Sequence, residues 1–154
     1  MELKFKVAAH IAKPVQEVFE AVANPDQLSS YFTTGGAKGR LETGAVVIWS
    51  FHDFPGEFPV EVTEVIPNER ISILWDAADG SDDGADTNYR VAATLQFDAL
   101  DDGRTLVSVS EHGWHENEAG LKASYGNCEG WTQMLCALKM WLEHGINLRE
   151  GFYK

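Results

Sequence analysis

The stretch Asn127-Cys128-Glu129-Gly130-Trp131-Thr132-Gln133-Met134-Leu135-Cys136-Ala137-Leu138-Lys139-Met140-Trp141-Leu142-Glu143 reads as an amphipathic helix. At 100° per residue, Cys128, Trp131, Met134, Leu135, Leu138, Trp141 and Leu142, with Ile146 and Leu148 beyond, fall on one arc of roughly 160°. A stripe that wide needs a broad apolar surface to cover it. Leu121 and Tyr125 lie about 80° off its centre, and glycine weakens a helix interior. The spacing therefore predicts a long helix over 127–148 that bends or restarts near Gly126-Asn127.

The surface that would cover the stripe lies upstream, where the period changes to two. Phe5, Val7, Ala9 and Ile11 alternate with polar neighbours, and so do Val47, Trp49 and Phe51, then Phe58, Val60 and Val62. Ile71, Ile73 and Trp75, Val91, Ala93, Leu95 and Phe97, and finally Val107, Val109 and Glu111 continue the pattern, which is that of strands with one buried face. Asp101-Asp102-Gly103 is a hairpin turn between the last two. Pro59 lacks a ladder donor, so its strand begins near it or lies on an edge. Between the first and second strands, Pro14 opens a helix carrying Val15, Val18, Phe19 and Val22, and Asn24-Pro25 closes it. Asp26 is placed to cap a second short helix over 27–32, which Gly35-Gly36 ends.

The 154 residues, 44% hydrophobic and 23% charged, suit one α+β domain over 1–154 with a sizeable core, since Phe 8, Trp 5 and Tyr 4 supply bulky rings. A net charge of −12 without a basic cluster excludes a nucleic-acid partner. The N-terminus has no apolar targeting segment and no run approaches the ~18 apolar residues of a membrane span, so the expected location is cytoplasmic. Cys128 and Cys136, about 12 Å apart along one helix, are too distant for a disulfide and fit a reducing compartment.

Particular motifs extend this reading. Ile11-Ala12-Lys13-Pro14-Val15-Gln16-Glu17-Val18-Phe19 with Asn24-Pro25-Asp26-Gln27-Leu28, and Gly39-Arg40-Leu41-Glu42-Thr43-Gly44, resemble the opening motif and the following turn of the START-like (SRPBCC) superfamily. Glu129 to Glu143 is similar to the C-terminal helix of the branch homologous to the C-terminal domain of the activator of heat-shock protein 90 ATPase. The resemblance implies a helix-grip fold: a curved antiparallel sheet of about six or seven strands wrapped around the long helix, with two short helices after the first strand. It also implies a cavity that in many members holds an apolar small molecule. Members include lipid carriers, polyketide cyclases and dehydratases, and self-sacrificing resistance proteins, so function has to come from the site. The activator carries a further N-terminal domain, for which 154 residues leave no space.

The expected ligand-binding residues are Asn127, Gly130, Trp131 and Met134 on the helix and Trp49, Phe51, Phe58 and Trp75 on the sheet, an apolar wall with few polar groups. The alternative is that these rings simply pack. Glu111 shares parity with Val107 and Val109. Either it faces the cavity with a raised pKa and orients a ligand's polar end with Asn127, or it sits solvated at a strand end. With His112 or His115 it would form a proton-transfer site.

No cofactor and no metal are expected. His112-Gly113-Trp114-His115-Glu116 lacks a helical scaffold and a third ligand. The acidic stretch Asp76–Asp86 reads as a solvated, mobile loop; placing Asp79, Ser81, Asp83 and Gly84 on a calcium loop brings Arg90 to the position that requires Glu. Three functions follow: binding of an apolar or amphipathic small molecule; a cyclase, dehydratase or hydrolase using Glu111 and a nearby His; and a chaperone accessory docking through the sheet exterior. Oligomeric state has no sequence signal.

Overall fold

The period-two segments pair into one sheet. In the computed structural model, which describes residues 1–80 and 89–153, β1 (Lys4–Ile11) leads into α1 (Val15–Ala23), α2 (Pro25–Leu28) and β2 (Gly36–Lys38). There follow β3 (Val46–Phe51), β4 (Phe54–Ile66), β5 (Arg70–Asp76), β6 (Arg90–Ala99), β7 (Thr105–His112) and α3 (Glu118–His144). The seven strands lie in the order β1-β7-β6-β5-β4-β3-β2, every pairing antiparallel. The sheet is curved and open, the long helix lies across it, and the fold is the α+β helix-grip type.

Register explains the core. Val7 faces Val109, Val109 faces Leu95, Leu95 faces Ile71 and Ile71 faces Val65, so one rung carries aliphatic side chains across five strands. The inward residues Val47, Val60, Ile73, Val91, Ala93, Phe97 and Val107 are all buried, as strict alternation on a one-sided sheet requires. From α3, Trp131, Met134, Leu135, Ala137 and Leu138 fill the concave side.

The long helix differs from the spacing prediction in both its ends and its continuity. It runs unbroken through Gly126-Asn127, because Leu121 and Tyr125 are 38% and 68% exposed. They lie off the stripe because they face solvent, so no bend is needed. It starts where the Asn117 side chain accepts the Gly120 N–H at 2.8 Å, and stops at Gly145, whose φ of 68° closes the last turn. Ile146 and Leu148 therefore lie beyond it.

Three other expectations are corrected. The side chain that caps α2 is Asn24, accepting from Asp26 N at 3.0 Å, and the helix ends at Leu28. The glycine-rich stretch holds a short edge strand, β2, too brief to show periodicity. β4 starts at Phe54, ahead of Pro59, and its pairing with β5 begins only at Val60, so the proline sits where β4 has β3 alone for a neighbour.

No helix among the described residues is long and apolar enough to cross a membrane, and no group of three or more His, Cys, Asp or Glu there is placed to hold a metal. The readings made for Ser81, Asp83, Gly84 and Asp86 fall outside the described residues.

Candidate functional site

The space between α3 and the far end of the sheet is a cavity of about 350 Å³. From α3 it is lined by Gly126, Asn127, Glu129, Gly130 and Trp131, from the sheet by Phe51, Phe54 and Trp75, and from elsewhere by Phe32, Arg149 and Tyr153. Each ring is braced by another. Phe32 stacks on Trp131 at 5.7 Å and 12°, meets Phe51 edge-on at 5.2 Å, and Trp131 meets Trp75 at 5.6 Å. Phe32 reaches this place because the turn after α2 is pinned by Tyr31, whose buried hydroxyl donates to Ala21 O at 2.9 Å.

Behind the wall lies Glu111, 1% exposed. Its Oε1 accepts from Asn127 Nδ2 and its Oε2 from Trp75 Nε1, both at 2.7 Å. Burial raises its pKa above the usual carboxylate range, while the Asn127 and Trp75 bonds oppose the rise. The Trp131 indole also favours the charged form, although its N–H meets hydrogen-bond geometry with no described group.

At the other end, Arg149 is 8% exposed and pairs with the buried Asp53 at 2.9 Å. Its guanidinium also lies over Phe51 at 4.9 Å and Tyr153 at 5.0 Å. A buried charge persists only when paired in this way. Arg149 and Tyr153 also wall a smaller cavity of about 160 Å³, toward the C-terminal end of α3.

Of the residues expected from sequence, Phe51, Trp75, Asn127, Gly130 and Trp131 line the larger cavity. Trp49 does not: at 2% exposure it packs behind the wall, edge-on to Phe32 and Trp75. Phe58 packs against Phe51 at 5.9 Å, and Met134, one turn beyond Trp131, borders the smaller cavity. His112 follows the inward Glu111 and so points outward and is exposed; His115, beyond Gly113, is exposed and stacks on Tyr89 at 3.7 Å. Neither histidine lines the cavity, and Glu111 touches it only through Asn127 and Trp75. Sequence reasoning missed Phe32, Phe54, Gly126, Glu129, Arg149 and Tyr153. Asp53 and Arg149 are 96 positions apart in a turn and a tail, where no periodicity points to them.

The family model described as activator of Hsp90 ATPase homolog 1-like protein matches residues 12–143. The chain belongs to this family. Among solved structures, this AHSA1-like chain is similar to protein SSP2350 from Staphylococcus saprophyticus at 25% identity, with 95% of this chain and 96% of that one covered and a TM-score of 0.75. The Aha1 dimer from Colwellia psychrerythraea shares the fold at 20% identity, 92% and 97% coverage and a TM-score of 0.73. DynU16, from the dynemicin biosynthetic locus, does so at 21% identity and a TM-score of 0.78, this chain covering 49% of it. No curated protein matches the sequence.

Proposed function

We propose that this AHSA1-like protein binds an apolar or amphipathic small molecule in the cavity between sheet and helix. The observation that carries the reading is Gly130. Glycine in a helix interior costs about 1 kcal/mol relative to alanine, yet α3 keeps it beside Trp131, facing the cavity. A Cβ built there meets nothing within 4 Å, although the residue is half-buried against the cavity. A helix face meant only to pack would carry a side chain at this position. The volume of about 350 Å³ lies within the range of small-molecule sites, and its ring-lined wall with few polar groups is the usual chemistry of one.

The test is a titration with N-phenyl-1-naphthylamine, whose fluorescence rises in apolar surroundings. The wild-type protein is expected to bind it saturably, and Gly130→Leu, which fills the space while favouring the helix, to bind it at least about tenfold more weakly. Equal binding by both, or none by the wild type, would overturn the proposal.

A further inference from the structure

We infer that Glu111 acts as a positioning residue that fixes the Asn127 amide, so that the cavity selects ligands bearing a hydrogen-bond donor, such as a hydroxyl, over ligands bearing only an acceptor. The inference rests on the binding reading above. It follows from which atoms can donate. Above its raised pKa, where the probes are to be measured, Glu111 is an ionised carboxylate that only accepts, and the Trp75 indole only donates. Trp75 Nε1 occupies Oε2 of Glu111, and Oε1 takes Asn127 Nδ2 at 2.7 Å. The amide orientation is thereby set: Nδ2 turns to Glu111, and Oδ1, which accepts from no described group, is the amide's free acceptor at the cavity wall.

The charges nearby disfavour an anionic ligand. Arg149 is already neutralised by Asp53, and Glu129 lines the same cavity. A neutral molecule with a ring-sized apolar body and a hydroxyl group is the chemistry that fits: the body lies against Phe32, Phe51 and Trp131, and the hydroxyl donates to Asn127 Oδ1.

Glu111→Gln is expected to reverse this arrangement. The Trp75 N–H still needs an acceptor, so the new amide turns its oxygen to Trp75 and its NH2 to Asn127. Asn127 must then reverse, giving its oxygen to Gln and presenting its NH2 to the cavity, which favours an acceptor. The probes are 2-naphthol and 2-acetonaphthone, measured by displacement of N-phenyl-1-naphthylamine. The quantity read is the ratio of their dissociation constants, which cancels differences in size and solubility between variants. The wild type is expected to favour 2-naphthol, and Glu111→Gln to move the ratio about tenfold toward the ketone, the scale of one hydrogen bond. Asn127→Leu, which leaves Glu111 and Trp75 bonded, should also erase the preference for 2-naphthol and serves if the Gln variant does not fold. An unchanged ratio in a folded Glu111→Gln, or in Asn127→Leu, overturns the inference while leaving the binding reading intact. Failure of 2-naphthol to displace N-phenyl-1-naphthylamine from the wild type also overturns the inference, and failure of the wild type to bind N-phenyl-1-naphthylamine itself overturns both.

Discussion

Glu111 is the residue whose surroundings say most about its cost. It is 1% exposed, two donors hold its two oxygens, and burial still raises its pKa above the ordinary value of 4.5. The sign of the linkage follows. Between that ordinary value and the raised folded value, the folded state holds the proton more tightly than the unfolded chain does. The stability this group contributes is therefore greatest below the unfolded pKa and falls as pH rises through the folded one. Glu111→Gln has no such proton, so the stability of the wild type relative to the variant is expected to decline as pH rises above the ordinary value of 4.5 and to level off once pH has passed the raised folded pKa. Urea midpoints of both proteins across that range give the answer directly. A difference that stays flat or grows with pH would mean that the carboxyl is not held above its solution pKa. Sequence parity placed Glu111 on the inner face through Val107 and Val109 but left it undecided between cavity and solvent. Its partners, Trp75 and Asn127, come from another strand and from the helix, and no local pattern links the three.

Within α3, two glycines do opposite things. At Gly130 a Cβ meets nothing within 4 Å, and no positive φ constrains the residue. At Gly120 it would stand 1.9 Å from the His115 carbonyl oxygen, a backbone atom that cannot swing aside. The first glycine keeps a cavity open; the second lets the chain entering the helix pass close to its first turn, where Asn117 caps it. Gly130→Ala is accordingly expected to raise stability by about 0.5–1 kcal/mol through helix propensity alone, whereas Gly120→Ala should lower it by at least about 2 kcal/mol through a forced backbone shift. Chemical denaturation separates the two by sign. If Gly130→Ala is destabilising, the space beside it is not open. Composition alone could not tell these glycines apart, and the apolar stripe, read from Asn127 onward, did not reach Gly120. The element's length was also misread for a local reason. Leu121 and Tyr125 break the apolar stripe by facing solvent, while the stop at Gly145 depends on a left-handed φ that periodicity does not report.

At the scale of the molecule, the order of elements was legible because a one-sided sheet imposes alternation on every strand, and a helix lying across it must show one wide stripe. The cavity was legible only in part. Its floor and helix wall follow from face parity, but its far end is walled by Arg149 and Tyr153 from the segment after α3, which are held by a buried ion pair to Asp53 in a turn and by ring contacts. The whole fold therefore leaves a ring-lined volume of about 350 Å³ that side chains do not fill, and a ligand occupying it would bind the folded state alone. Linkage then fixes the size of the response. A ligand at about one hundred times its dissociation constant stabilises by about 2.7 kcal/mol. In a chain of 154 residues each kcal/mol moves Tm by roughly 2–4 °C, so a rise of roughly 5–11 °C is expected with saturating 2-naphthol. Gly130→Leu should unfold at a temperature equal to or above that of the ligand-free wild type, because leucine is the better helix former, yet show no rise when the ligand is added. A rise of the same size in both proteins would place the ligand elsewhere on the fold. No rise in either would mean that the open volume has no stabilising affinity for this class of molecule.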